Sequence, residues 1–399
     1  MSNLSPVFYI YAARAVRGFG DGFAIIILPL YLSTLGYSPT VIGLVATAAL
    51  LGTATTTLAV GFLGRHFDLG KLLLLGAMLM AATGVALASI EHISIIFFIV
   101  FIGTMNPSAG DTGLMIPLEH ALLAQGVSHE RRTKTFARYS LTGALATATG
   151  ALSAAFPDTL VAIGFTQVAS LKIMFFVYAG LGLLGTALYA QIPPTRSKET
   201  PPPTALGPSR GIVIKLAALF SVDSFAGGFI VHSLLALWLF VKFDLSLAQA
   251  SLFFFWSGVL TAFSYPVAAR LSRKIGLINT MVFTHIPSSI CLIAAAFAPT
   301  LSIALALLLL RSALSQMDVP TRTSYVMAVV TPEERPAAAS FTAVPRTLAS
   351  AVSPAFAGML MAGPFLALPL IICGVLKITY DLALLFTFRH VKPPEETNP

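Results

Sequence analysis

Long apolar runs separated by short polar connections fill this chain from end to end. A helix needs about 20 mostly apolar residues to cross about 30 Å of hydrocarbon. Runs of that kind occur at 8–33, 39–63, 71–90, 93–116, 135–157, 170–191, 212–241, 246–268, 277–298, 300–329, 337–362 and 365–388, which predicts an all-α membrane protein of twelve transmembrane helices. One connection differs in kind. Residues 192–211, IPPTRSKETPPPTALGPSRG, are rich in proline and polar side chains and lie at the chain midpoint. Such a stretch reads as a linker. The predicted organisation is a six-helix bundle over 1–191, a cytoplasmic linker over 192–211, and a second six-helix bundle over 212–399 with a short cytoplasmic tail.

Composition narrows the classes open to the chain. Of its 399 residues 56% are hydrophobic and 10% charged, and the mean hydropathy is +0.86. A soluble surface needs about 25% charged residues to be wetted, so the solvent is a bilayer. A soluble enzyme, a disordered scaffold and a nucleic-acid-binding protein are excluded together. The net charge of +8 is then explained by basic cytoplasmic loops. Sixteen Lys and Arg fall on one set of alternate connections, among them Arg65, Arg131, Arg196, Arg270, Arg335 and Arg389, and only Lys172 and Lys242 on the other. That asymmetry places both termini in the cytoplasm and the protein, as a multi-pass chain, in the inner (plasma) membrane. Cys291 and Cys373 each lie inside an apolar run, so no disulfide framework, metal site or cofactor is expected. The first apolar stretch carries Arg14, Arg17 and Asp21 and does not read as a cleavable signal.

The two halves repeat one another at an offset of about 206 residues. Gly20-Asp21-Gly22-Phe23 falls on Ala226-Gly227-Gly228-Phe229, and GFLGRHFDLG (61–70) falls on ARLSRKIGLI (269–278). Asp111 falls close to Asp318, and HERRTKTF (129–136) on PEERPAAASF (332–341). Two parallel repeats of six helices are the arrangement in which one half rocks against the other around a central site. With its 6+6 layout, Pro-rich central loop and Gly61 before a charged turn, the chain resembles the major facilitator superfamily. Its loop motif departs from the family's G-x-L-A-D-R-x-G-R-R-x-x-L. Arg65-His66 and Arg273-Lys274 stand where the family has Asp-Arg. The family's fourth-helix Arg and fifth-helix Gly-Pro pair are absent, Gly150 being followed by Ala151. The resemblance implies secondary transport by alternating access, with a central cavity lined by the first, fourth, seventh and tenth helices.

Ionisable residues inside the membrane gather on those same helices. A charge at a helix centre costs about 2.5–3.5 kcal/mol on insertion scales and needs a partner or a wet cavity. In the first span Arg14, Arg17 and Asp21 share a face, and Arg17 and Asp21, four apart, form a local pair or trade partners during transport. In the seventh, Asp223 has no base three or four positions away and sits at the repeat position of Arg17. Asp223 and Asp21 are therefore the expected proton-coupling residues. Arg14, Arg17 and Arg311 are the expected anion-binding or charge-pair residues, with Asn106, His232, Trp238 and Tyr31 as further cavity candidates. Asp111, Asp318, Arg322, Arg65 and Arg273 read as an inner gate. Lys377 and Asp381, four apart in the last span, read as a local pair.

The expected function is secondary active transport of a small organic solute, proton-coupled efflux by a monomer. The rival is an uptake symporter or facilitator for a small organic anion held by Arg14, Arg17 and Arg311. No G-x-x-x-x-G-K-[ST] phosphate loop is present to supply energy from nucleotide. An integral-membrane enzyme is the remote alternative, because the acids are dispersed among the spans and no two His share metal-ligand spacing on one helix. Cysteines placed in 192–211 are expected to react with an impermeant reagent from the cytoplasmic side only. Labelling from outside intact cells would overturn the orientation.

Overall fold

Hydrocarbon offers backbone N–H and C=O groups no partner, so each spanning segment must satisfy them internally, and the helix does so. The computed structural model describes residues 5–63, 67–108, 113–126, 129–193, 206–331 and 334–391, with side chains at 60–63, 125–134 and 336 excepted. Within them lie sixteen helices: α1 (Pro6–Thr34), α2 (Pro39–Leu63), α3 (Leu69–Ser89), α4 (Ile93–Ile102), α5 (Met115–Gly126), α6 (His129–Ser153), α7 (Phe156–Ala162), α8 (Gln167–Tyr189), α9 (Arg210–Gly228), α10 (His232–Phe243), α11 (Leu247–Ile275), α12 (Leu277–Ala296), α13 (Leu301–Leu314), α14 (Asp318–Ala328), α15 (Arg335–Met361) and α16 (Leu368–Phe388). Among the described residues nine helical segments are long and apolar enough to cross a membrane.

The helices fall on the predicted spans, with three of the spans broken. The fourth becomes α4 and α5, the seventh α9 and α10, and the tenth α13 and α14. Among the described residues α4 ends at Ile102 and α5 begins at Met115, with Asn106-Pro107 between them. Asn106 Oδ1 accepts from the N–H of Ser108 at 3.0 Å and from its hydroxyl at 2.9 Å, closing a local turn that competes with helix. The carbonyl of Pro107 accepts the N–H of Ser233 at 3.2 Å. That N–H belongs to the first turn of α10, where no intrahelical acceptor exists. The two breaks thus satisfy each other.

Packing divides the chain into two units, residues 1–199 with 231–258, and residues 200–230 with 259–399. α10 and the start of α11 therefore pack with the first unit. In the first unit α1 packs on α6 and α3 on α8; in the second, α9 packs on α15 and α12 on α16. These are the same pairings by span number, so the sequence repeat is also a packing repeat. Glycine makes the closest of them possible. At Gly22 an added Cβ would overlap the Thr147 carbonyl of α6, and at the repeat-equivalent Gly228 it would overlap the Ser353 hydroxyl of α15. Small residues let helix backbones approach where lipid supplies no hydrophobic drive to associate. Gly22→Val and Gly228→Val should each cost about 1–3 kcal/mol through overpacking. Gly211→Ala, with nothing within 4 Å of the new Cβ, should stay within about 0.5 kcal/mol. Thermal unfolding in detergent measures the difference, and equal midpoints for all three would refute the close-packing account.

Candidate transport site

α1 carries the first unit's charged groups inward because it is buried almost all round from Gly20 to Leu32. Arg17 does not pair with Asp21. Its Nη2 donates to Glu119 Oε2 of α5 at 2.7 Å, and the fully buried Glu119 also takes the hydroxyls of Tyr139 and Tyr189, the latter at 2.7 Å on Oε1. Arg17 donates in turn to both tyrosine oxygens at 3.2 Å. The result is a closed cage: one cation, one anion and two hydroxyls, from α1, α5, α6 and α8. A buried ion pair is tolerable only when its remaining lone pairs and protons are satisfied in this way. Arg14 lies against Gly143 of α6, which has no Cβ to obstruct it, and its guanidinium carbon stands 5.2 Å from the centre of the Tyr139 ring.

Asp21 is left with a single neutral donor, the Tyr178 hydroxyl at 3.3 Å. It lines a small pocket together with Arg17, Thr53, Thr56, Thr104 and Met115. Gly103 and Thr104 before the break, and Gly113 to Ile116 after it, supply one wall. The pocket is polar on the α1 side and apolar at Met115, and presents one carboxylate beside threonine hydroxyls.

The second unit holds a larger cluster. Asp223 of α9 accepts from Lys377 Nζ of α16 at 2.6 Å and from Arg322 Nη1 of α14 at 3.2 Å. Arg322 also meets Asp318 at 3.0 Å. His285 of α12 joins through Asp381, Nδ1 to Oδ1 at 3.0 Å, and through Lys377, Nε2 to Nζ at 3.3 Å. Arg346 Nε donates to the Ser224 hydroxyl at 3.1 Å.

A family model described as the Major Facilitator Superfamily matches residues 10–310 and 217–399. The chain belongs to that superfamily. Its members are membrane transporters. An uncharacterized membrane protein of Saccharomyces cerevisiae is 23% identical over 420 residues, covering 96% of this chain and 94% of that protein. Among solved structures, the nucleoside transporter NupG superposes with a TM-score of 0.74 at 12% identity, over 97% of this chain and 100% of that one. The inward-open xylose transporter XylE from E. coli gives 0.74 at 16%, over 97% of each. A bacterial homolog of the lysosomal transporter Spinster gives 0.73 at 14%, over 96% of each. At these identities the likeness is one of fold.

Several charges singled out in the sequence meet partners other than those expected. Asp223 is held by two cations from other helices, Asp318 and Arg322 join it in one cluster, and the expected local pair of Lys377 with Asp381 gives way to Lys377–Asp223 and Asp381–His285. Arg311 is half-buried with no carboxylate within ion-pair distance among the described residues, and its carbonyl accepts from Ser288 at 3.4 Å. Arg273 lies in the last turn of α11 and donates to the Ala269 carbonyl at 3.3 Å, complementing that helix end. Tyr31 is buried edge-on to Phe175, His232 lies beside Phe254, and Trp238 is buried against Phe243 and Lys242. Asn106 sits in the break itself. Arg65 and Asp111 lie outside the described residues.

Glu119 and His285 escape sequence reasoning, as do the cage tyrosines Tyr139 and Tyr189. Glu119 stands just beyond the fourth apolar run, in MIPLEHALLA, and reads as the start of a loop until the break pushes α5 back into the bundle. His285, inside the ninth span, is an intramembrane ionisable residue and was detectable on that ground. Glu119→Ala would strand a buried arginine and two hydroxyls, and should cost about 3–5 kcal/mol. Asp21→Asn breaks no ion pair and should cost no more than about 1 kcal/mol. Thermal stability of the two variants in one detergent tests the contrast, and a Glu119→Ala protein as stable as wild type would remove the cage from the account.

Proposed function

We propose that this chain is a proton-coupled secondary transporter that exports a small organic solute from the cell, with Asp21 as the proton-carrying group. The observation that supports this is the difference between its two buried carboxylates. Protonating Asp223 would leave Lys377 and Arg322 facing a neutral acid in a low-dielectric site, which is costly. Protonating Asp21 breaks no ion pair, because Arg17 is committed to Glu119 and Tyr178 is a neutral donor. Both residues were expected from the sequence to couple protons; the pairing of Asp223 with two cations favours Asp21.

Export follows from where Asp21 lies. A carboxylate in the cavity wall is contested by a proton and by any solute group that needs the anion, so the two exclude one another. Mutual exclusion on one site is the condition for antiport, and an inward proton gradient then drives solute outward. We read the protein as a monomer of the plasma membrane with both termini cytoplasmic, on the Lys and Arg asymmetry of its loops. The nucleoside and xylose carriers of this fold handle small polar solutes, in keeping with the threonine hydroxyls around Asp21. A second reading, uptake of an organic anion, draws on Arg311, whose guanidinium meets no carboxylate among the described residues and suits one from a ligand.

Proteoliposomes with imposed proton gradients of either sign separate the readings, using a panel of nucleosides, sugars and organic acids. Outward-directed accumulation driven by protons is expected. Asp21→Asn, a mimic of the protonated acid, should abolish gradient-driven flux while counterflow exchange persists. Gradient-driven flux at the wild-type rate in Asp21→Asn would sink the assignment. Accumulation of an anion with the proton, lost in Arg311→Gln, would favour the second reading.

A further inference from the structure

Coupling at Asp21 leaves unused a line of buried ionisable groups in the second unit. His285 lies in α12, 2% exposed, between a carboxylate and an ammonium. Its Nδ1 is 3.0 Å from Asp381 Oδ1 and its Nε2 is 3.3 Å from Lys377 Nζ. A lysine ammonium has only protons to offer, so Nε2 must accept and Nδ1 must carry the ring proton, donated to Asp381. The ring in this arrangement is neutral. Lys377 passes a second proton contact on to Asp223 Oδ1 at 2.6 Å. Asp381, His285, Lys377 and Asp223 therefore stand in one hydrogen-bonded row.

The row has a second arrangement. A proton added to Nε2 would set an N–H against an ammonium, two donors and two like charges 3.3 Å apart. The new N–H has one acceptor close by, Asp223 Oδ1 at 3.9 Å, the same oxygen that Lys377 holds. We propose that His285 is a proton-binding site whose protonation takes Asp223 over from Lys377 and releases the lysine. Asp381, on the opposite side of the ring, keeps its hold on Nδ1 in both forms and balances the added charge. Its other oxygen, Oδ2, is buried without a hydrogen-bond partner, so the carboxylate has unused accepting capacity. Gly227 of α9 leaves room beside the lysine, since an added Cβ would lie 3.9 Å from Nζ.

The remaining charged groups around the row stay in place. From α14, Arg322 holds Asp223 Oδ2 at 3.2 Å and Asp318 at 3.0 Å, so Asp223 keeps a cation throughout and exchanges only one partner. From α15, Arg346 is engaged by Ser224. Tyr380 of α16 presents its ring edge-on to His285 at 6.2 Å, and Arg311 stands on α13. The exchange differs from the Asp21 step in kind. At Asp21 a proton competes with solute; at His285 a proton changes which helix, α12 or α16, is tied to α9. It deepens the proton-coupled reading, and rests on it only for its consequence in transport.

The test is nitrogen-15 NMR of the full chain in lipid nanodiscs, labelled at histidine and lysine and titrated from about pH 9 to about pH 5. An Asp21→Asn background makes the outcome independent of the group proposed for coupling. His285→Gln and Lys377→Gln identify the two resonances. The expected result is a neutral ring protonated at Nδ1 at high pH, doubly protonated at low pH, with the Lys377 signal moving at the same midpoint. A ring that stays neutral throughout overturns the proposal, and so does a ring that titrates while Lys377 is unmoved. Should His285→Gln fail to fold, Asp381→Asn keeps the ring and removes its balancing charge. The midpoint is expected to shift in that variant, and an unshifted midpoint counts against the proposal.

Discussion

A charge inside hydrocarbon has no water to fall back on, and the structure is arranged around that requirement. Arg17 is enclosed by Glu119, Tyr139 and Tyr189. Asp223 is enclosed by Lys377 and Arg322, with His285 and Asp381 behind. Each cluster draws on four helices or more, so each ties its unit together at depth with interactions that are strong because the medium is poor in dipoles. Their value to stability lies less in the attraction itself than in the cost of losing one member.

The helix breaks serve the same requirement from the other side. Irregular backbone at membrane depth is tolerated where protein or a cavity covers it. The segment between α4 and α5 meets both conditions. Pro107 gives its carbonyl to Ser233 at the start of α10, while Gly103, Thr104 and Gly113 line the chamber beside Asp21. Beyond the break, α5 carries Glu119 to Arg17. The same irregularity therefore opens the cavity and builds the cage that withdraws Arg17 from Asp21. Asp21 stands without an ion pair because Arg17 is taken by Glu119.

The apolar runs determined the helical class and the order of the helices, since period and length in a bilayer leave few alternatives. The repeat of Gly22 at Gly228 carried over into the packing of α1 on α6 and of α9 on α15. In the sequence Arg17, Asp21, Asp223, Arg311, Asp318 and Arg322 are conspicuous because charge in a span is costly. Which charge meets which was decided only by the tertiary structure. Neighbours four apart on a helix gain about 0.2–0.5 kcal/mol from pairing, and a fully desolvated partner on another helix outbids that. So Arg17 left Asp21 for Glu119, Lys377 left Asp381 for Asp223, and of the local pairs only Asp318 with Arg322 survived, because Arg322 could reach Asp223 from the same place. Spacing along one helix is written in the chain; the distance between two helices is not, and at membrane depth that distance settles the pairing.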